Sequence, residues 1–179
     1  ELSKTVMMIQ QRRQLQEHNN EEDAEENFWR KVYFHQIGPS LLAGELKKRH
    51  LKIRLEDHFQ IVFFRVQMRT EPTVSMEKDR GIQEYAFSQF VSEVLFNSFY
   101  HNRIFTFGQG SSFSAVAISE VFQEQDELRS RCEKVRNLYR RYFGGISTAY
   151  IGRPCSLWEI AEKGHVLESL DRKNVAVRD

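Results

Sequence analysis

The run His58-Phe59-Gln60-Ile61-Val62-Phe63-Phe64-Arg65-Val66-Gln67-Met68 constrains this chain more than any other segment. It is dense in β-branched and aromatic residues and contains no Gly or Pro, so it reads as a buried strand, ended by Glu71–Pro72. The segments after it fall into a recognisable order. Ile82, Tyr85, Ala86, Gln89, Phe90 and Val94 recur at a helical period between about Met76 and Phe99. Arg103–Phe107 and Ser112–Ile118 read as two further strands. The glycines of Gly108-Gln109-Gly110-Ser111 between them suit a tight hairpin. A helix from about Gln125 to Tyr142 gathers Leu128, Cys132, Val135 and Tyr139 on one side and stops at Gly144–Gly145. Ile146–Ile151 supplies a fourth strand and Ser156–Leu170 a last helix. Strand, helix, strand, strand, helix, strand, helix is the order of a split βαβ arrangement. The expected fold class is α+β, an α/β sandwich with an antiparallel four-stranded sheet and helices packed on one face.

Ahead of that core lies a helical segment. Leu2, Val6 and Ile9 form a stripe, interrupted at Arg12 and Arg13. Asn19 or Asn20 can cap a second helix, with Glu21, Glu22 and Asp23 complementing its positive end. That helix carries Ala24, Phe28, Val32 and His35 on one face and is expected to stop at Gly38–Pro39; one continuous helix through Asn19–Asn20 is the alternative. Residues 1–37 are therefore expected to be an N-terminal helical linker with the option of a coiled coil, and residues 38–179 the domain proper. A stripe of Leu2, Val6 and Ile9 needs a surface to cover it. It either packs back onto its own domain or pairs with a second copy, and its interruption suits a weak or switchable coil. The chain opens at Glu1, within what already reads as helix, and is expected to be a piece of a longer protein.

Composition excludes several classes. Lys plus Arg total 26 and Asp plus Glu 25, a net charge of +1, without the basic excess of a phosphate-backbone binder. The clusters Lys47–Lys48–Arg49–His50 and Arg140–Arg141 read as solvated helix faces. Two cysteines, Cys132 and Cys155, supply neither a disulfide framework nor a four-ligand zinc site. Cys132 reads as core and Cys155, in a turn after Pro154, as exposed. The six histidines are scattered singly, and His35 reads as a half-buried packing residue. Gly108-Gln109-Gly110 lacks the Lys–Ser/Thr and the helix of a phosphate loop. No apolar run reaches the length of a membrane span and no secretory pattern occurs, which makes the cytoplasm the expected compartment.

The element order also resembles the palm of GGDEF domains and nucleotide cyclases. Phe107-Gly108-Gln109-Gly110-Ser111-Ser112-Phe113 sits where that family carries its signature turn and looks like an eroded version of it. Ile146-Ser147-Thr148-Ala149-Tyr150-Ile151-Gly152-Arg153-Pro154 is similar to the family's late strand. Glu26-Asn27-Phe28-Trp29-Arg30-Lys31-Val32 with Gly38 resembles the segment after the receiver in YesN-like response regulators, and Glu1-Leu2-Ser3-Lys4-Thr5-Val6 the end of a receiver's final helix. The resemblance implies a receiver domain upstream and an AraC-type helix-turn-helix pair downstream, with DNA contacted only through the latter.

Departures from the pattern bear on activity. A cyclase of this kind needs carboxylates for its divalent metals. The aligned positions hold Arg65 and Gln67 on the first strand and Gln109, Ser111 and Ser112 in the hairpin. The Arg-x-x-Asp box that would bind cyclic diguanylate is missing from Ser98–Ile104; Arg54-Leu55-Glu56-Asp57 fits its letters but precedes the first strand. The resemblance thus implies a non-catalytic signalling and dimerisation domain of a two-component transcription regulator, a homodimer without metal or cofactor. A small-molecule sensor is the second expectation, with Arg65, Gln67 and the Gly108–Ser112 hairpin lining the former active-site region and Arg65 pairing with an anion. A nucleotide enzyme using unaligned acids such as Asp57 or Asp79 is the third.

Overall fold

In the computed structural model, which describes residues 4, 7–9, 20–69, 76–98 and 102–176, the His58–Gln67 run forms a ten-residue strand, β1. Every position between its ends is buried except the half-exposed Arg65. A strand with no exposed side needs cover on both faces, and it has it. The sheet order is β2 (Ile104–Gln109), β3 (Ser112–Glu120), β1, β4 (Ile146–Ile151), all antiparallel. β1 and β2 flank β3, which makes the unit a split βαβ fold. A two-residue strand, β5 (Cys155–Ser156), extends the β4 side by pairing with His58 and Phe59.

The helices distribute between the two faces according to the parity of β1. Val62, Phe64 and Val66 point at α3 (Met76–Phe96) and α4 (Gln125–Phe143), joining Phe87, Val91, Leu95, Leu128, Cys132, Val135 and Tyr139 in one core. Phe59, Ile61 and Phe63 point the other way. They meet α1 (Asn20–Tyr33), α2 (Leu42–Lys48) and α5 (Ile160–Ala176) through Phe28, Trp29, Val32, Tyr33, Leu42, Ile160 and Leu167. Helices on one face only was the expectation from element order; the unbroken burial of β1 is the physical reason for three layers. Burying each of these Phe side chains contributes about 1.5–3 kcal/mol.

Residues 20–37, expected within an N-terminal linker, instead supply part of this core: Phe28 and Trp29 are fully buried. Their stripe packs back onto the domain. Whether α1 continues through Asn19 lies outside the described residues. Its C-terminal end differs from expectation too. Rather than running to Gly38–Pro39, α1 closes at Tyr33 in a Schellman motif, with Gln36 N–H donating to Lys31 O at 2.8 Å and His35 N–H to Val32 O at 3.2 Å. His35 occupies the left-handed position (φ 56°) that glycine usually takes and is exposed, off the helix face assigned to it. α2 ends identically, at His50 (φ 55°). α4 ends as expected, at Gly144 with φ 70°. A capping box between Ser156 and Glu159 starts the 3₁₀ turn leading into α5. No described helix is long and apolar enough to cross a membrane.

Candidate functional site

The two cross-strand rows nearest the hairpin, on the face covered by α1 and α5, contain the expected site residues. One row runs Phe107–Ser114–Arg65–Thr148 and the next Gln109–Ser112–Gln67–Ile146, each crossing all four long strands. Antiparallel pairing keeps opposed residues on one face, so the register brings Arg65 and Gln67 beside the hairpin.

Glycine makes that hairpin possible. A Cβ on Gly108 would lie 2.6 Å from Phe113 Cα and 2.7 Å from Ser112 O, so only a residue without one lets β2 approach β3 this closely. Gly110, at φ 66°, is the first central residue of the two-residue turn, the pattern of a type II′ hairpin. The tip is then fastened to β1. Ser111 O accepts from Met68 N–H at 2.9 Å, and Gln67 Nε2 donates to Ser111 Oγ at 3.1 Å and to Ser111 O at 3.3 Å.

Arg65 points from the same face towards α5. Its Nε lies 3.7 Å from Asp171 Oδ2, and its Nη1 donates to Ser114 Oγ at 3.4 Å. Asp171 is only 6% exposed, whereas the Arg65 side chain is 41% exposed. The guanidinium therefore serves as a counter-ion to a carboxylate held against the sheet, and its outer edge remains in water. Asp171 had no place in the expected site. The signal for it was present nonetheless: Ile160, Gly164, Leu167 and Asp171 fall at spacings of four, three and four, putting an acid on the buried stripe of α5. A buried acid on such a stripe calls for a cation opposite it.

Comparison with family models, curated proteins and solved structures finds no match. The chemistry must be read from the residues themselves. The cluster offers one cation already engaged by a carboxylate, a side-chain amide holding the hairpin, and hydroxyls. No group of three or more His, Cys, Asp or Glu side chains is placed to hold a metal ion among the described residues. Arg54 and Asp57 only close a turn before β1, Arg54 N–H donating to Asp57 Oδ2 at 2.9 Å, and Asp79 lies in the first turn of α3. Both cysteines are free and buried. Burial pushes the thiol of Cys132 up to about 12 and that of Cys155 up to about 11, which disfavours the nucleophilic thiolate. Cys155, expected to be exposed, is covered because β5 docks it against β1.

Of the expected interface residues, Leu2 and Val6 lie outside the described residues. Ile9 is helical and 8% exposed within the single chain, directly after the exposed Met7 and Met8.

A second feature of this face was not anticipated. α1 and α5 approach each other through Tyr33 and Gly164: a Cβ at Gly164 would lie 2.3 Å from Tyr33 Cε2. The Tyr33 hydroxyl donates to Glu168 Oε1 at 3.1 Å. Burial and the neighbouring Glu168 carboxylate both push the Tyr33 phenol far above its ordinary range, which fixes it as the donor. Tyr33 also meets Phe105 edge-on, ring centroids 5.4 Å apart, so one side chain joins the first helix, the last helix and the sheet.

Proposed function

We propose that this chain is a non-catalytic signalling domain of a cytoplasmic bacterial response regulator, with a degenerate GGDEF-like fold. In this role it passes the state of an upstream receiver to a downstream DNA-binding domain. The observation that carries the proposal is the direct seating of α1 on α5 through Tyr33 and Gly164. A displacement of α1 has a short physical route to α5, because the Tyr33 ring rests directly against the Gly164 backbone. The aligned metal positions support the non-catalytic part. Arg65 places positive charge where a metal-dependent cyclase needs carboxylates, and both Arg65 and Gln67 are spent on internal contacts.

The test uses the intact regulator. Operator affinity is measured with the receiver phosphorylated and unphosphorylated, for the natural protein and for Gly164→Leu. Phosphorylation is expected to change the affinity of the natural protein, and Gly164→Leu to abolish most of that difference while the DNA-binding domain keeps its basal affinity. An unchanged difference in Gly164→Leu overturns the proposed route. An intact protein lacking either flanking domain overturns the regulator itself. The homodimer belongs to the same proposal and is tested by light scattering over a concentration series, where a single-chain mass throughout removes it.

A further inference from the structure

The end of α1 and the first turns of α5 enclose an open groove of about 510 Å³, within the usual size range of small-molecule sites. We infer that this groove binds a small organic cation, an amine or quaternary ammonium carried on an aromatic body. The inference stands independently of the signalling role, since it rests on the groove's own walls.

Two features select for positive charge. Aromatic rings line the groove at Tyr33, Phe34 and Trp158. Trp158 is 51% exposed, an unusual position for the largest apolar side chain, and indole is the best cation–π face. Carboxylates stand at Glu162 and Glu168 beside two imidazoles, His35 and His165, which count as neutral at pH 7, and no lysine or arginine lines the space among the described residues. In a chain whose cations and anions are nearly equal in number, 26 against 25, this wall carries carboxylates without a lysine or arginine to balance them. The aromatic walls and the volume call for a ligand with a ring as well as a charge. Glu168 already accepts from the Tyr33 hydroxyl. Glu162 makes no hydrogen bond or ion pair among the described residues and is therefore the carboxylate left for the ligand.

The tryptophans provide the readout, because Trp29 is fully buried and Trp158 is not. The chain is titrated with phenethylammonium, with neutral 2-phenylethanol and with anionic phenylacetate, following tryptophan emission and, separately, heat by calorimetry. Phenethylammonium is expected to give a saturable change, with the other two binding at least several-fold more weakly. Glu162→Gln, an exposed position, is expected to weaken phenethylammonium about three- to tenfold, the range for one partly screened charge. Three probes binding alike, no saturation by phenethylammonium in the millimolar range, or an unchanged affinity in Glu162→Gln each overturns the assignment.

Discussion

Gly164→Ala discriminates sharply between two physical effects of opposite sign. At an unobstructed interior helix position, replacing glycine by alanine stabilises by about 1 kcal/mol. Here the new methyl carbon would stand 2.3 Å from Tyr33 Cε2 and 2.8 Å from its Cζ. Carbon atoms rest at about 3.5–4.0 Å, so the ring or the helix must retreat by roughly 1.2–1.7 Å. Tyr33 is hemmed in by its ring neighbours: it is 4% exposed, with Phe34 and Phe105 ring centroids at 5.1 and 5.4 Å. Overpacking of this kind costs about 1–3 kcal/mol. Retreat also strains the hydrogen bond to Glu168, which contributes about 1 kcal/mol at a half-exposed carboxylate. The net expectation is a loss of about 1–3 kcal/mol. In a Tyr33→Ala background the obstruction is gone, and the same substitution is expected to stabilise by about 1 kcal/mol. Urea denaturation of the four proteins, with linear extrapolation, measures the cycle. Stabilisation by Gly164→Ala in the natural background refutes the contact.

Three other perturbations follow from the same geometry. Arg65→Leu strips the buried Asp171 of its counter-ion and is expected to cost about 1–2 kcal/mol, discounted for the exposed guanidinium; adding Asp171→Leu is expected to restore at least half, and a costless single variant removes the pairing. His35→Gly relieves a non-glycine residue at φ 56° and is expected to raise stability by about 0.5–1 kcal/mol in the same denaturation assay; a loss would mean the imidazole contributes to the fold. The Ser156 backbone and side-chain hydrogen bonds hold the Glu159 carboxyl below its ordinary range, so its contribution is present above the unfolded-state value and disappears as pH falls through the lower folded-state value. The stability gap between the natural chain and Glu159→Gln should accordingly be open at neutral pH and close in acid, whereas a gap that widens in acid contradicts the capping box.

Local signals in the sequence were sufficient for elements that residues close in the chain define. β1, the hairpin, α4 with its Gly144 stop and β4 carry apolar runs or glycines that fix them on the spot. The α+β class and antiparallel sheet followed from their order. What failed depended on contacts made across the chain. The stripe of Phe28 and Val32 requires an apolar partner without saying that the partner is the sheet, so the sequence alone reads as a linker where the fold has core. Histidine at a left-handed helix end leaves weaker punctuation than Gly38–Pro39, so the sequence points to a later stop than the one at Tyr33. β5 is two residues, too short for any periodicity. Arg65, Gln67 and the hairpin are singled out in the sequence by the resemblance to a cyclase palm, and what brings them side by side is the β1–β3 register, which strand order alone does not fix. Asp171 was missed although the buried spacing of α5 contained it, and the Tyr33–Gly164 contact joins residues whose proximity no local pattern expresses.

Hydrogen exchange in the natural chain and in Tyr33→Ala, followed peptide by peptide, tests most directly whether α1 and α5 move as one unit. Removing the ring that joins them is expected to release amides across α5 while those of α3 and α4, on the opposite face of the sheet, keep their protection. Protection retained in α5, or lost equally from both helical layers, contradicts a dedicated path from α1 to α5.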